Sequence, residues 1–252
     1  NQKDYLDRLF RVYPMSVNPR RELPSKAERD IEKHFNKRNY KELLLTLLNQ
    51  DLFPVKDSYV AFLKRDRTAI DRNPRTVERL VGMLYEMGLD DIYDKITEPK
   101  ETNRQIGPLF RNWLEKGSLG CKVTTSHNEI LTSKDNIVLN SSDDDMLKFA
   151  RAHLGYQHTK GLDFIAKFNQ VYVVGEAKFL TDYGGHQNAQ FNDAIITMLA
   201  HYDTDKKVVP IAILDGVLYL KGRNKMYKDI TETHRDANIF SALLLRDFLY
   251  SL

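Results

Sequence analysis

The sequence predicts a mixed α/β (α+β) protein: a mixed sheet flanked by helices, preceded by a helical N-terminal region. Three observations lead there. Up to about residue 100, apolar residues recur at helical spacings of three and four. From residue 161 onward, short strand-like runs alternate with helical segments. At the start of that second region, "GLDFIAKFNQVYVVGEAKFLTDYGG" at 161–185 reads as two apolar strands, yet it carries Asp163, Glu176 and Lys178 where burial is expected.

A chain of 252 residues can build one large core or two small ones. Its apolar share of 42% and charged share of 29% are ordinary for a soluble globular protein. The single cysteine, Cys121, excludes an intrachain disulfide and fits a reducing cytoplasm. The longest apolar runs, Leu43–Leu48 and Val208–Leu214, are too short to span a bilayer, and "NQKDYLDRLF" has no signal-peptide core. A net charge of +3 does not announce a polyanion partner. The charge is uneven, however: residues 1–79 hold 18 Lys and Arg against 12 Asp and Glu. Such a basic stretch suits nucleic acid, and it equally suits solvated helix faces.

In chain order, "SKAERDIEKHF" places Ser25 as an N-cap with Glu28 at the capping-box position. "NYKELLLTLLNQDLF" carries a leucine stripe that stops before Pro54. Asn73–Pro74 opens a helix whose apolar face is Val77, Leu80, Val81, Leu84 and Tyr85, and Gly88 ends it. The polar joint "EPKETNRQ" at 98–105 divides a helical region, 1–100, from a core, 101–252. A helix from Pro108 to Gly117 follows, then two strand-like runs, "GCKVTTS" and "DNIVLN". Ser142 caps a helix with Asp143, Asp144 and Asp145 in its first turn and Gly155 at its end; these acids suit the helix dipole better than a metal. After the 161–185 segment come the helix "NAQFNDAIITMLAHY" and the strands "KVVPIAIL" and "VLYLKG", joined as a hairpin at Asp215–Gly216. A final helix closes the chain.

If Asn169 and Gln170 form a two-residue turn, Phe168 faces Val171, Ala166 faces Val173, and Asp163 faces Glu176. Directly opposed side chains share a face, with Cβ atoms about 4.5–5.5 Å apart. Lys178, two residues beyond Glu176, shares that face as well. A loop with an odd residue count would instead turn Asp163 to the other side. Two carboxylates so close repel unless one is protonated or a cation lies between them. A hard divalent cation such as Mg²⁺ suits them, and a neighbouring lysine can orient water. Metal-activated water attacking a phosphodiester is the chemistry implied. A cross-strand salt bridge at a sheet edge is the plainer alternative. Two other acid-x-Lys stretches, Glu98–Lys100 and Asp205–Lys207, lack the strand setting: the first has a central proline and the second no hairpin before it.

Asp163, twelve intervening residues, then Glu176-Ala177-Lys178 at a strand end resembles the PD-(D/E)xK nuclease signature, with Leu162 where that signature has proline. The chain resembles type II restriction endonucleases of that superfamily over roughly residues 100–215. "NRQIGPLFRNWLEKG" resembles the helix that precedes their sheet. The resemblance implies a restriction-endonuclease-like fold that cleaves double-stranded DNA and leaves 5′-phosphate and 3′-hydroxyl ends. It implies that Asp163, Glu176 and the Ala177 carbonyl hold Mg²⁺ and that Lys178 positions the attacking water. A palindromic target would require a two-fold homodimer. A structure-selective or repair nuclease on the same core, and a non-catalytic DNA-binding protein with a relic fold, are the rival readings.

Two stretches are candidates for contacting DNA. His186, Gln187, Asn188, Gln190 and Asn192 crowd the start of the helix after the glycine loop. Their amides suit adenine edges, and a helix N-terminus suits phosphate. Local capping is the alternative, and Gln187 or Gln190 could instead line the active site. Lys64, Arg65, Arg67, Arg72, Arg75 and Arg79 form the basic cluster, suited to phosphates more than bases. The histidines form no zinc spacing, and no nucleophile triad is evident.

Overall fold

A computed structural model of the chain describes residues 3–15, 20–99 and 105–252. Residues 100–104, most of the polar joint, lie outside the described residues. The chain forms two units: residues 1–15 together with 102–252, and residues 16–101.

The second unit is helical: α2 (Ser25–Asn36), α3 (Tyr40–Leu48), α4 (Ser58–Arg65), α5 (Ala69–Arg72), α6 (Pro74–Met87) and α7 (Leu89–Ile96). The leucine stripe of α3 splits between two clusters. Leu43 and Leu47 pack with Ile31, Leu84, Ile92 and Ile96. Leu44 and Leu48 pack with Val60, Leu63, Ile70 and Leu80. Each such fully buried side chain contributes about 1.5–3 kcal/mol. Ser25 is not the cap predicted for it: it is already the first helical residue, and the Glu28 N–H bonds the Pro24 carbonyl at 3.1 Å. Pro74 opens α6 as expected, but the Asn73 amide turns back to the Ala69 carbonyl (2.8 Å) instead of capping.

The first unit holds α1 (Tyr5–Leu9), α8 (Ile106–Glu115), β1 (Lys122–Thr124), α9 (His127–Thr132), β2 (Ile137–Leu139), α10 (Asp143–Leu154), β3 (Phe164–Phe168), β4 (Val171–Leu180), α11 (Gly185–Met198), β5 (Val208–Gly216), α12 (Lys225–Lys228), β6 (Ile239–Phe240) and α13 (Ala242–Tyr250). The strands form one sheet in the order β1-β2-β3-β4-β5-β6. β3 runs antiparallel to both neighbours, and the other pairings are parallel. Helix α11 covers one face beside Leu180, Ala212 and Leu214. Residues from α1, α8 and α13 cover the other, against Ala177, Phe179, Ile211 and Ile213. No helix among the described residues is long and apolar enough to cross a membrane.

The β3–β4 hairpin has the predicted register, pairing Phe168 with Val171 and Ala166 with Val173. Its turn places Asn169 at φ 48° and Gln170 at φ 64°, the sense of a primed turn, without a glycine. Two anchors hold this conformation. The Asn169 N–H bonds Asn136 Oδ1 at 2.9 Å, and Gln170 Nε2 bonds the Lys134 carbonyl at 2.8 Å.

The expected hairpin at Asp215–Gly216 does not form. β5 runs through Gly216 and pairs in parallel with β4 and β6, and Val217–Tyr219 is a 3₁₀ turn, not a strand. Gly216 has φ 104°, and a Cβ there would stand 2.0 Å from the Leu180 carbonyl oxygen, so the chain bends where no other residue fits. Asp215 is fully buried. It accepts hydrogen bonds from Tyr5 (2.9 Å), Tyr13 (3.1 Å), the Ala242 N–H (3.1 Å) and the Ser241 hydroxyl. The first described residues therefore belong with the sheet, not with the helical region in which the sequence placed them.

Candidate active site

Asp163 stands one residue before β3. The paired register ends at Phe164 opposite Gly175, and the Asp163 N–H still bonds the Gly175 carbonyl (3.1 Å), which holds Asp163 beside the strand that carries Glu176. On its other side Gly175 lets β5 come close: a Cβ there would lie 2.6 Å from the Ile211 side chain and 2.8 Å from its carbonyl oxygen. Past this point β3 has ended, and the edge of β4 opens onto the Asp163 carboxylate. Asp163 Oδ2 accepts the Ala177 N–H at 3.0 Å and Lys178 Nζ at 2.9 Å. Lys178 Nζ also pairs with Glu176 Oε1 at 2.7 Å. The other Glu176 oxygen accepts the Thr197 hydroxyl of α11 at 3.2 Å.

Glu176 has only 3% of its side chain exposed, Asp163 17% and Lys178 22%. Charges this sheltered persist only when paired. Burial alone would lower the Lys178 pKa, but Asp163 and Glu176 outweigh it and hold the ammonium above its usual range. Two more charges continue the series. Lys160, from the loop entering β3, lies 3.6 Å from Glu176 Oε1 and pairs closely with Asp193 of α11. Sequence reasoning missed Lys160, Asp193 and Thr197. The signal available was the spacing of Asp193 and Thr197, four apart and so on one face of the helix.

Among the described residues no group of three or more His, Cys, Asp and Glu side chains gathers as a metal site. The set here is two carboxylates and a carbonyl. The Ala177 N–H points at Asp163, and in a strand the carbonyl of the same residue faces the same edge. All three donors are hard oxygens, and a cationic nitrogen already sits between the carboxylates. That donor set fits Mg²⁺.

The expected DNA-facing residues fall out unevenly. α11 begins at Gly185, slightly earlier than predicted. His186 and Asn192 are exposed. Gln190 bonds His186 at 3.2 Å, and the Asn188 amide donates to the Tyr183 carbonyl at 2.8 Å. Gln187 is buried and accepts the Thr181 N–H at 3.1 Å, so it ties the end of β4 to α11 and presents nothing to a base. In the helical unit, Lys64 donates to the Gln50 and Asp51 carbonyls, and Arg67 to the Leu48 carbonyl and Asn49. Both serve the end of α3. Arg72 pairs with Asp66 and Arg79 with Asp57, whereas Arg65 and Arg75 are exposed. The triple Asp is partnered piecewise: Asp143 pairs with Arg111, Asp144 with Lys148, and Asp145 lies within hydrogen-bond distance of the His127 ring, as dipole-favoured surface acids allow.

A six-stranded mixed sheet flanked by helices, with its charged cluster where β3 meets β4, is a restriction-endonuclease-like fold. Over residues 1–252 the chain matches the family model described as Tsp45I type II restriction enzyme, and it belongs to that family. It is accordingly a site-specific deoxyribonuclease, a hydrolase that binds DNA. Enzymes of this type generally use a divalent metal. No curated protein and no solved structure matches the chain.

Proposed function

We propose that this chain is an Mg²⁺-dependent type II restriction endonuclease that hydrolyses double-stranded DNA to 5′-phosphate and 3′-hydroxyl ends, with Asp163, Glu176 and Lys178 as its catalytic set. The observation that carries the reading is the convergence of two sheltered carboxylates on one ammonium, at 2.9 and 2.7 Å. Asp163, Glu176 and the Ala177 carbonyl would hold the ion. When bound, it withdraws charge from the phosphoryl oxygens and lowers the pKa of water. Lys178 then faces the attacking water and orients it by donating a hydrogen bond. Thr197 holds the far oxygen of Glu176, which fixes the direction in which the near oxygen points. A palindromic target would be cut by a homodimer, one active site per strand.

Glu176→Ala and Lys178→Ala are each expected to abolish plasmid cleavage while leaving the fold intact by circular dichroism. Cleavage at the parent rate by either variant refutes the assignment. Digestion of a known genome, with the ends sequenced, is expected to give one recurring sequence and a 5′-phosphate at each cut.

A further inference from the structure

The charges at the site form an alternating row: Asp163, Lys178, Glu176, Lys160, Asp193. Three carboxylates against two ammoniums leave one negative charge. A divalent cation turns that into one positive charge, which matches the single negative charge of a phosphodiester. Two ammoniums approach the same oxygen, Glu176 Oε1, but unequally: Lys178 at 2.7 Å and Lys160 at 3.6 Å. Lys160 holds Glu176 loosely because Asp193 holds Lys160.

Its backbone is fixed independently. The Lys160 N–H donates to His158 Nδ1 at 3.2 Å, and Arg151 donates twice to the His158 carbonyl, at 3.2 and 3.1 Å. The side chain is the more open of the two lysines, 30% exposed against 22% for Lys178. A pinned backbone, a half-open ammonium and a carboxylate tether describe a donor kept ready for an anion beside the carboxylates.

We propose that Lys160 contacts a non-bridging oxygen of the phosphodiester to be cut, and that Asp193 is its positioning residue, keeping it off Glu176. The inference rests on the catalytic reading above. Once a divalent cation engages Glu176, repulsion disfavours the 3.6 Å contact, and the Asp193 tether retains the ammonium at the site.

The test uses the full chain and a duplex carrying the target found by genomic digestion. In Lys160→Ala, metal-free DNA affinity followed by fluorescence anisotropy should show a salt slope lower by about one, as for the loss of a single phosphate contact. Single-turnover cleavage should fall about 10²-fold. Lys160→Arg should restore the slope and part of the rate. Lys160→Met replaces the Ala variant if that one is unstable. Asp193→Asn should leave the slope unchanged but raise the Mg²⁺ needed for half-maximal cleavage severalfold, because Lys160 then settles on Glu176. The double variant Lys160→Ala/Asp193→Asn should lose that increase. An unchanged slope in Lys160→Ala, or in the Lys160→Met variant that replaces it, overturns the inference, while inactive Glu176→Ala and Lys178→Ala preserve the catalytic reading. Active Glu176→Ala and Lys178→Ala overturn both.

Discussion

Replacing Lys178 by alanine should destabilise the metal-free protein, and Mg²⁺ should reverse the loss without DNA present. The substitution removes the ammonium at 2.9 Å from Asp163 and 2.7 Å from Glu176 and leaves two carboxylates facing each other. Glu176, with 3% of its side chain exposed, has little water to turn to. Breaking a buried pair by deleting one partner costs about 3–5 kcal/mol. Lys160 at 3.6 Å offsets part of that for Glu176, so the lower end, about 3 kcal/mol, applies. For a chain of this size that is a fall in Tm of about 6–12 °C. A divalent cation then meets two acids with no ammonium to displace. It should bind the variant more tightly than the parent and restore about 2.7 kcal/mol at a hundred times its Kd. Differential scanning calorimetry in EDTA and again with Mg²⁺, on both proteins, reads the effect. The reasoning fails if the variant melts with the parent in EDTA, or if Mg²⁺ raises both by the same amount.

Further predictions concern the surroundings. Burial raises the Asp215 pKa, against the lowering effect of Ser241, Ala242, Tyr5 and Tyr13. A carboxyl raised in the folded state contributes stability that is full below its unfolded pKa of about 3.9 and lost as pH climbs through the folded value. The parent should therefore gain on Asp215→Asn as pH falls toward that range, as read by paired melting curves; a constant difference would refute it. Gln187→Ala should lower Tm, since the Thr181 N–H loses its acceptor at a cost of about 1–3 kcal/mol, without changing the salt slope of DNA binding. In the helical unit, Arg65→Ala and Arg75→Ala should weaken DNA binding, while Lys64→Ala and Arg67→Ala should act mainly on stability, as compared by anisotropy and melting.

The meeting of Asp163, Glu176 and Lys178 was legible because it depends on local arithmetic. A two-residue turn and a period of two fix which residues face each other, and Asp163, Glu176 and Lys178 follow. The turn was predicted at Asn169–Gln170 and forms there, but its support was not legible: "FNQV" has no glycine, and what holds it is Asn136 and the Lys134 carbonyl, over thirty residues away. Lys167 carries a charge in the same hairpin but serves no site. It is buried and donates to the Leu131 and Ser133 carbonyls at the end of α9. "VLYLKG" has strand composition, yet the buried acid before it and the bend at Gly216 turn the chain away from the sheet. β6 has two residues, too few for any periodicity to register. Lys160 and Asp193 meet across thirty-three positions, a separation at which side-chain pairing leaves no mark in a single sequence.

The grip of Tyr5 and Tyr13 on Asp215 has a consequence for how the molecule is made. On a ribosome, both tyrosines emerge some two hundred residues before their acceptor, and the helical unit between them and the sheet can mature while they wait. The segment that carries them is thus made well before its acceptor and seated only after it. The ring of donors is complete only once Ala242 has also been made, and Leu9 and Val12 share their core with that same residue.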